Sequence, residues 1–387
     1  MWGTNRLRVP LRRIEDRLRV SLQRMRAGVL LGAWCVALPA WGAALDLDTV
    51  LGGSVLDGFA RADRVRPFVF PADHGAHERY RSEWWYLTVN LRGVDGAEFG
   101  VQFTAFRQAT APERADSNPW TPAQLYLAHF AVTDVAGGRH REAERLSRGH
   151  PRLAGARAAP FAVWVDGWSL TGTANGLDAL HLVAATETFA ADLELVPVKP
   201  IVLQGDRGLS AKGPGQASYY YSLPRLAVRG RVTVDGVEHP VEGSGWFDRE
   251  WSTSLLSGEQ RGWDWFGLQF DSGAELMAFR MRRSDGSRDP YDHGSWVAPD
   301  GTATPLDARA FELTPTRYWR DSGGVRWPVE WTVTVRAPEG VQRFRVAAAL
   351  DDQRMDTLLT YWEGLVRILD EQGRRIGAGY MELTGYE

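Results

Sequence analysis

The sequence predicts an all-β protein made of two similar antiparallel β-barrels in tandem. Three observations carry this expectation. Short runs of alternating apolar and polar residues fill most of the chain, helical periodicity is almost absent, and one strand pattern occurs twice. The alternating runs include AEFGVQFTAF (97–106), LYLAHFAV (125–132), ALHLVAA (179–185), ADLELVPV (191–198), RLAVRGRVTV (225–234) and VEWTVTV (329–335). Each puts one apolar face toward a core and is broken by Gly, Asp or Pro. Asp235-Gly236 between two such runs marks a hairpin, because both residues tolerate positive φ. Weak helical signals occur at LDTVLGGSVLDGFA (47–60) and LDARAFELT (306–314).

The repeat aligns WWYLTVNL (84–91) with WDWFGLQF (263–270) without a gap, at an offset of 179 residues. Trp84 matches Trp263, Tyr86 matches Trp265, and each strand leads through a Gly-containing turn into a second run ending Ala-Phe-Arg, at 105–107 and 278–280. A repeat of this length is a duplicated domain, not a solenoid. The expected organisation is an N-terminal extension and signal peptide at 1–44, a first barrel at 62–228 and a second at 229–387. GDRGLSAKGPGQAS (205–218) reads as the linker.

From Met25 the chain shows a short basic start, an apolar run and then small residues, the pattern of a secretory leader with cleavage after Gly42 or Ala44. Met25 is the expected true start, and the expected location is secreted or periplasmic. The apolar run is short for a membrane span. Loss of 1–44 removes eight arginines and two acids, so the formal charge goes from −3 to about −9. No basic stripe is present, and nucleic acid is not expected as a partner. The sole cysteine, Cys35, lies in the leader, so the mature chain has neither disulfides nor thiolate metal sites. The 17 tryptophans of the full sequence suit barrels and apolar clefts.

FPADHGAHERYRSEWWYLTVNL (70–91), GSGWFDREWSTS (243–254) and GAGYMELTGYE (377–387) resemble the AttH-like secreted proteins, relatives of the carotenoid 1,2-hydratases, also called hydroxyneurosporene synthases. The resemblance runs from about Gly58 to the C-terminus. It implies lipocalin-like barrels, no cofactor, and one of two functions. The first is a periplasmic role binding a hydrophobic or amphipathic small molecule in association with an envelope ABC transporter. The second is cofactor-free hydration of a carbon–carbon double bond, or hydrolysis. Hydratase relatives carry a histidine beside the aspartate of GWFDREW, where this chain has Arg249, which cannot shuttle protons near neutral pH. That difference favours the binding role.

Hydration of an unactivated alkene needs a carboxylic acid of raised pKa, aromatic faces to stabilise the cation, and a base for water. Two strands offer these. In GWFDREW, Trp246, Asp248 and Glu250 share one face, and Phe247, Arg249 and Trp251 the other. In WDWFGLQF, Asp264 heads an apolar stripe while Trp263 and Trp265 lie opposite. Asp248, Glu250 and Asp264 are therefore the candidate acids and bases, and each equally suits a structural pairing with arginine. Trp84, Tyr86, Trp246, Trp251, Trp263, Trp265 and Tyr220 of SYYYS are the candidate ligand-binding aromatics. Asp73, His74, His77, Arg81, Glu83 and Arg249 are expected to form a rim network, in which Arg81 and Glu83 bond Asp248, Arg249 and Glu250. The loop setting of His74 and His77 argues against a metal site. No nucleophile elbow, phosphate loop or dinucleotide fingerprint occurs.

Overall fold

The strands predicted from alternation are all present in the computed structural model, which describes residues 58–112, 123–253, 256 and 259–386. The expected extension and signal peptide at 1–44, the start at Met25 and nearly all of the helical signal at 47–60 lie outside the described residues. Among the described residues 23 strands form two antiparallel sheets.

The first sheet begins with β1 (Ser82–Gly93), β2 (Glu98–Ala109), β3 (Gln124–Asp134) and β4 (Arg139–Arg148). It continues through β5 (Ala154–Ala158), β6 (Phe161–Val165), β7 (Trp168–Thr173), β8 (Gly176–Ala185) and β9 (Phe189–Pro197). It ends with β10 (Val202–Leu203), β11 (Leu209–Gly213), β12 (Gln216–Val234) and β13 (Val237–Ser252). The second sheet holds β14 (Gln260–Phe270), β15 (Glu275–Arg283), β16 (His293–Val297), β17 (Ala303–Asp307) and β18 (Phe311–Arg320). It is completed by β19 (Arg326–Ala337), β20 (Gly340–Ala348), β21 (Arg354–Met355), β22 (Tyr361–Leu369) and β23 (Arg375–Leu383).

Each sheet joins its first strand to its last in the same way. β1 pairs with β2 and with the last strand of its sheet, β13; β14 pairs with β15 and with the last strand of its sheet, β23. The first sheet curls far enough that β6 returns against β2, β3 and β4, making a nearly closed barrel. Its interior is filled by the inward residues of each strand, including Trp85, Leu87 and Val89 of β1 and Tyr221 of β12. The second sheet curls around its own core of Phe266, Trp331, Val366 and Met381. A third apolar cluster, with Tyr86, Tyr220, Trp246, Trp265 and Phe279, lies between the outer faces of the two sheets. Burial on both faces explains why the middle of β1 and the second half of β14 read as almost continuous aromatic and apolar runs.

The Asp235-Gly236 hairpin forms between β12 and β13, with φ of 52° and 78°. GDRGLSAKGPGQAS is not a linker: it folds as β11 and the turn into β12, and the positive φ of Gly205, Gly208 and Gly215 accounts for its glycines. LDARAFELT is not helical: a tight turn after Asp307, whose carboxylate accepts the Arg309 N–H at 2.8 Å, leads into β18, where Phe311 and Leu313 alternate into the core. The expected boundary at 228/229 falls inside β12, while the pairing itself passes from one sheet to the other between Ser252 and Gln260.

Candidate active site

A narrow cavity of about 80 Å³ opens between the two sheets. The first sheet supplies Trp84, Tyr86, Thr104, Phe106, Lys212, Tyr220, Asp248 and Glu250. The second supplies Trp263, Trp265, Phe279, Tyr361 and Glu382, with Leu359 and Thr384 beside its strands.

Register explains this grouping. On the first sheet, Phe106, Trp84, Glu250 and Tyr220 lie side by side across β2, β1, β13 and β12. The next outward row is Thr104, Tyr86, Asp248 and Ser222. On the second sheet the corresponding row is Phe279, Trp265, Glu382 and Glu363, across β15, β14, β23 and β22. Tyr86 and Trp265, the pair matched by the internal repeat, meet across the cavity with ring centroids 5.1 Å apart. Each sits opposite a carboxylate on the last strand of its own sheet, Asp248 and Glu382 respectively. The duplication has thus placed two equivalent acids on either side of one apolar space.

Their electrostatics match. Burial pushes Asp248 up to about 7, against the opposing influence of hydrogen bonds from Ser222, Tyr220 and Trp246. Those donors are the Ser222 hydroxyl at 2.5 Å, the Tyr220 hydroxyl at 2.7 Å and the Trp246 indole N–H at 2.7 Å. Burial also pushes Glu382 up to about 7, although it accepts the Trp263 indole N–H at 2.6 Å, and the nearby Glu250 and Asp248 add to the shift. Glu363, directly opposite Glu382 in the ladder, is raised well above the carboxylate range by burial and then by Glu382. Two carboxyls on adjacent strands cannot both ionise cheaply, so the protonation of one opposes ionisation of the other. Beside these acids, Lys212 Nζ lies 2.6 Å from the Glu250 carboxylate, to which Ser218 also donates. The Lys212 ammonium sits 4.3 Å from the Phe279 ring centroid. The site therefore holds acids that are part-protonated near neutrality, a paired carboxylate, and indole and phenyl faces within one cavity.

Residues 61–386 match the profile of the AttH-like proteins. The chain belongs to the AttH-like family. A candidate AttH from Nitrosomonas europaea, known as a crystal structure, is 34% identical, with a TM-score of 0.75, over 85% of this chain and 100% of that one. Kievitone hydratase from Nectria haematococca has the same fold at 16% identity and a TM-score of 0.61, over 85% and 98% of the two chains. These neighbours make the architecture lipocalin-like. No curated protein matches the chain.

In this AttH-like protein the expected aromatics divide between two places. Trp84, Tyr86, Tyr220, Trp263 and Trp265 line the cavity, and Trp246 packs behind it against Trp265 and donates to Asp248. Trp251 does not take part: strand parity turns it into the first barrel, where it stacks on His77 at 3.8 Å. Of the expected acids, Asp248 and Glu250 reach the cavity. Asp264 does not, because it shares the inward face of β14 with Phe266, and there Arg280 and the Tyr386 hydroxyl hold it, the latter at 2.7 Å.

The expected rim network is a buried plug of the first barrel and faces away from the cavity. Glu83 is paired with both Arg107 and Arg249, which hold it well below the carboxylate range despite full burial. His77 bridges Glu83 and Asp73 at 3.2 and 3.1 Å, and Arg66 grips Asp73 at 2.8 Å. His74 bonds the Tyr221 hydroxyl at 2.7 Å, and burial pushes it down to about 4. The Arg81 backbone N–H reaches Thr253 at 3.4 Å, and of the expected bonds from this loop to the second motif Glu83–Arg249 forms, while Asp248 and Glu250 turn to the cavity. Arg249 faces inward, with its guanidinium 3.9 Å from the Trp85 ring centroid, so its presence beside Asp248 in sequence does not bear on proton transfer in the cavity.

The sequence reading missed Glu382, Glu363, Lys212 and Tyr361. A signal for the first existed: Gly245-Trp246-Phe247-Asp248 is echoed by Gly379-Tyr380-Met381-Glu382 near the C-terminus. Lys212 is one of only two lysines in the chain.

Proposed function

We propose that the chain is an acid–base enzyme of the hydro-lyase type, adding water to or removing it from a double bond of an apolar small molecule held between the barrels. The observation that carries this reading is the pair of equivalent acids, Asp248 and Glu382, both brought to about 7 on either side of an aromatic cavity. A group with a pKa near the working pH can give a proton and take one back. Protonated Asp248 delivers a proton to one alkene carbon, and the positive charge that develops on the other faces Trp84, Trp263, Trp265 and Phe279. The Glu382–Glu363 pair, carrying one proton between two carboxyls, accepts a second from water as its oxygen bonds the cationic carbon. The alkene gains one water, and no electron is exchanged. That a hydratase from Nectria haematococca has this fold agrees with the reading.

A second reading is a periplasmic carrier of a hydrophobic ligand, working with an envelope ABC transporter. It is supported by the predominance of aromatic and apolar side chains in the cavity lining. One experiment separates the two. Apolar molecules that co-purify with the mature protein are identified by native mass spectrometry, then incubated with it in heavy-oxygen water. Label incorporation by the wild type and its loss in Asp248→Asn supports the enzyme. Equal retention of unlabelled ligand by both supports the carrier and removes the enzyme reading.

A further inference from the structure

The carboxyl pair lies deep in the protein, and after each turnover its proton count must be restored. Hydration leaves one acid short of a proton and the opposite base with one too many, so the cavity needs an exchange route with solvent. Glu363 and Tyr361 are two residues apart on β22 and share a face. The Tyr361 and Tyr86 hydroxyls lie near Glu363 and favour its charged form, yet neither Glu363 oxygen closes a hydrogen bond with a described residue. Beyond Tyr361 the contacts run outward without a break. Its hydroxyl is 2.7 Å from Nδ1 of the fully buried His129 on β3. His129 Nε2 is 3.2 Å from Glu144 on β4, whose side chain is 28% exposed. Glu144 is fixed there by the Leu358 N–H at 3.1 Å.

We infer that Tyr361, His129 and Glu144 form a proton relay between the Glu363–Glu382 pair and solvent. The inference rests on the reading of that pair as part of an acid–base site. From Tyr361 outward to Glu144 the donors are already aligned, and the step from Glu363 to Tyr361 needs their side chains to close a hydrogen bond. An ionised Glu144 can only accept, so His129 Nε2 carries the proton and Nδ1 accepts from the Tyr361 hydroxyl. Burial keeps the imidazole neutral, its pKa lowered despite Glu144, and so leaves Nδ1 free to accept. For outward transfer, Glu363 gives its proton to the Tyr361 oxygen, Tyr361 gives its own to His129 Nδ1, and His129 Nε2 gives its own to Glu144. Three bonds to hydrogen break and three form. Inward transfer reverses each step. The groups facing this chain are Phe106 beside His129, and Tyr86, Tyr380 and Glu382 around Glu363.

The test needs no substrate. A light-triggered proton release is followed by time-resolved infrared spectroscopy of the protonated carboxyl stretch, assigned to the pair by its loss in Glu363→Gln. Tyr361→Phe removes one oxygen, and His129→Gln keeps a polar side chain that cannot titrate. Each variant, and Glu144→Gln, is expected to slow the protonation of the band on the order of 100-fold with its end-points unchanged. Relaxation at the wild-type rate in Tyr361→Phe and His129→Gln would overturn the relay and reduce these contacts to a staple between sheets, visible only as lost stability. Absence of a pH-dependent band that Glu363→Gln removes would overturn it too. Normal relaxation kinetics in a protein that turns over no alkene would defeat the enzyme reading alone.

Discussion

Three donors converge on the Asp248 carboxyl, and each favours its charged form, yet burial outweighs them and brings it to about 7 from the ordinary aspartate value of 3.8. Between those two values the folded chain holds a proton that the unfolded chain has released. By linkage, this group's contribution to stability is complete below about 4 and is lost as pH rises toward 7. Asp248→Asn removes the titration and keeps the size, and its amide oxygen can still accept from Ser222 and Trp246. The variant should gain stability relative to the wild type as pH rises through this window, by on the order of 4 kcal/mol, and then level off. Urea unfolding of both proteins across a pH series measures the difference. The comparison must be between the two, because His74 and His293 are pushed down to about 4 by burial and destabilise the fold in the opposite direction, as pH falls below their ordinary value. A difference that stays constant with pH would show that Asp248 is ionised throughout.

Strands carried most of what the sequence could reveal. Period-two alternation placed Trp84 and Tyr86 on one face of β1 and Trp85 and Leu87 on the other, and the structure divides them between cavity and core. The same logic separated Trp263 and Trp265 from Asp264, but could not say which face met a ligand, and both faces of β14 are buried. Partners across strands were less legible. Glu363 and Glu382 become neighbours only through the β22–β23 register, and Glu83 finds Arg107 and Arg249 on two different strands. Such pairings are fixed by whole-sheet closure and have no local signature. One element does expose its own design. Gly267 lies under Trp265, and a Cβ there would sit 2.3 Å from the indole. Gly267→Ala should therefore turn Trp265 away from Tyr86 while the ladder of β14 stays paired, since this glycine's backbone is ordinary strand. The expected outcome is at least a tenfold loss of ligand affinity or turnover, the equivalent of about 1.4 kcal/mol, with far-UV circular dichroism unchanged. Full function in this variant would remove Trp265 from the site.

At the scale of the molecule, the internal repeat foretold two barrels but not that their chemistry would lie between them, because the duplication alone does not say which faces meet. The structure joins those faces with buried polar contacts as well as the shared aromatic cluster. Glu275 of β15 receives Lys199 at 2.6 Å and Arg225 at 2.5 Å from the first sheet's part of the chain, and Glu98 of β2 receives Arg367 of β22 at 2.7 Å. Gln269 of β14 goes furthest: its amide donates to the carbonyls of Pro224 at 2.7 Å and Gly245 at 2.8 Å, and accepts the Ser244 hydroxyl at 2.6 Å. Two carbonyls of the first sheet thus depend on one side chain of the second. Gln269→Leu fills the same space and leaves both without this donor, at about 1–3 kcal/mol each. If the sheets fold as one unit, the wild type unfolds in a single transition by calorimetry, with tryptophan fluorescence and far-UV circular dichroism superimposed. Gln269→Leu then lowers that transition as a whole, by on the order of 2–5 kcal/mol. Two transitions in the wild type, only one of them moved by the substitution, would mean that each barrel is stable alone. The cavity would then be a docking surface between independent domains, free to open for a ligand larger than its closed volume.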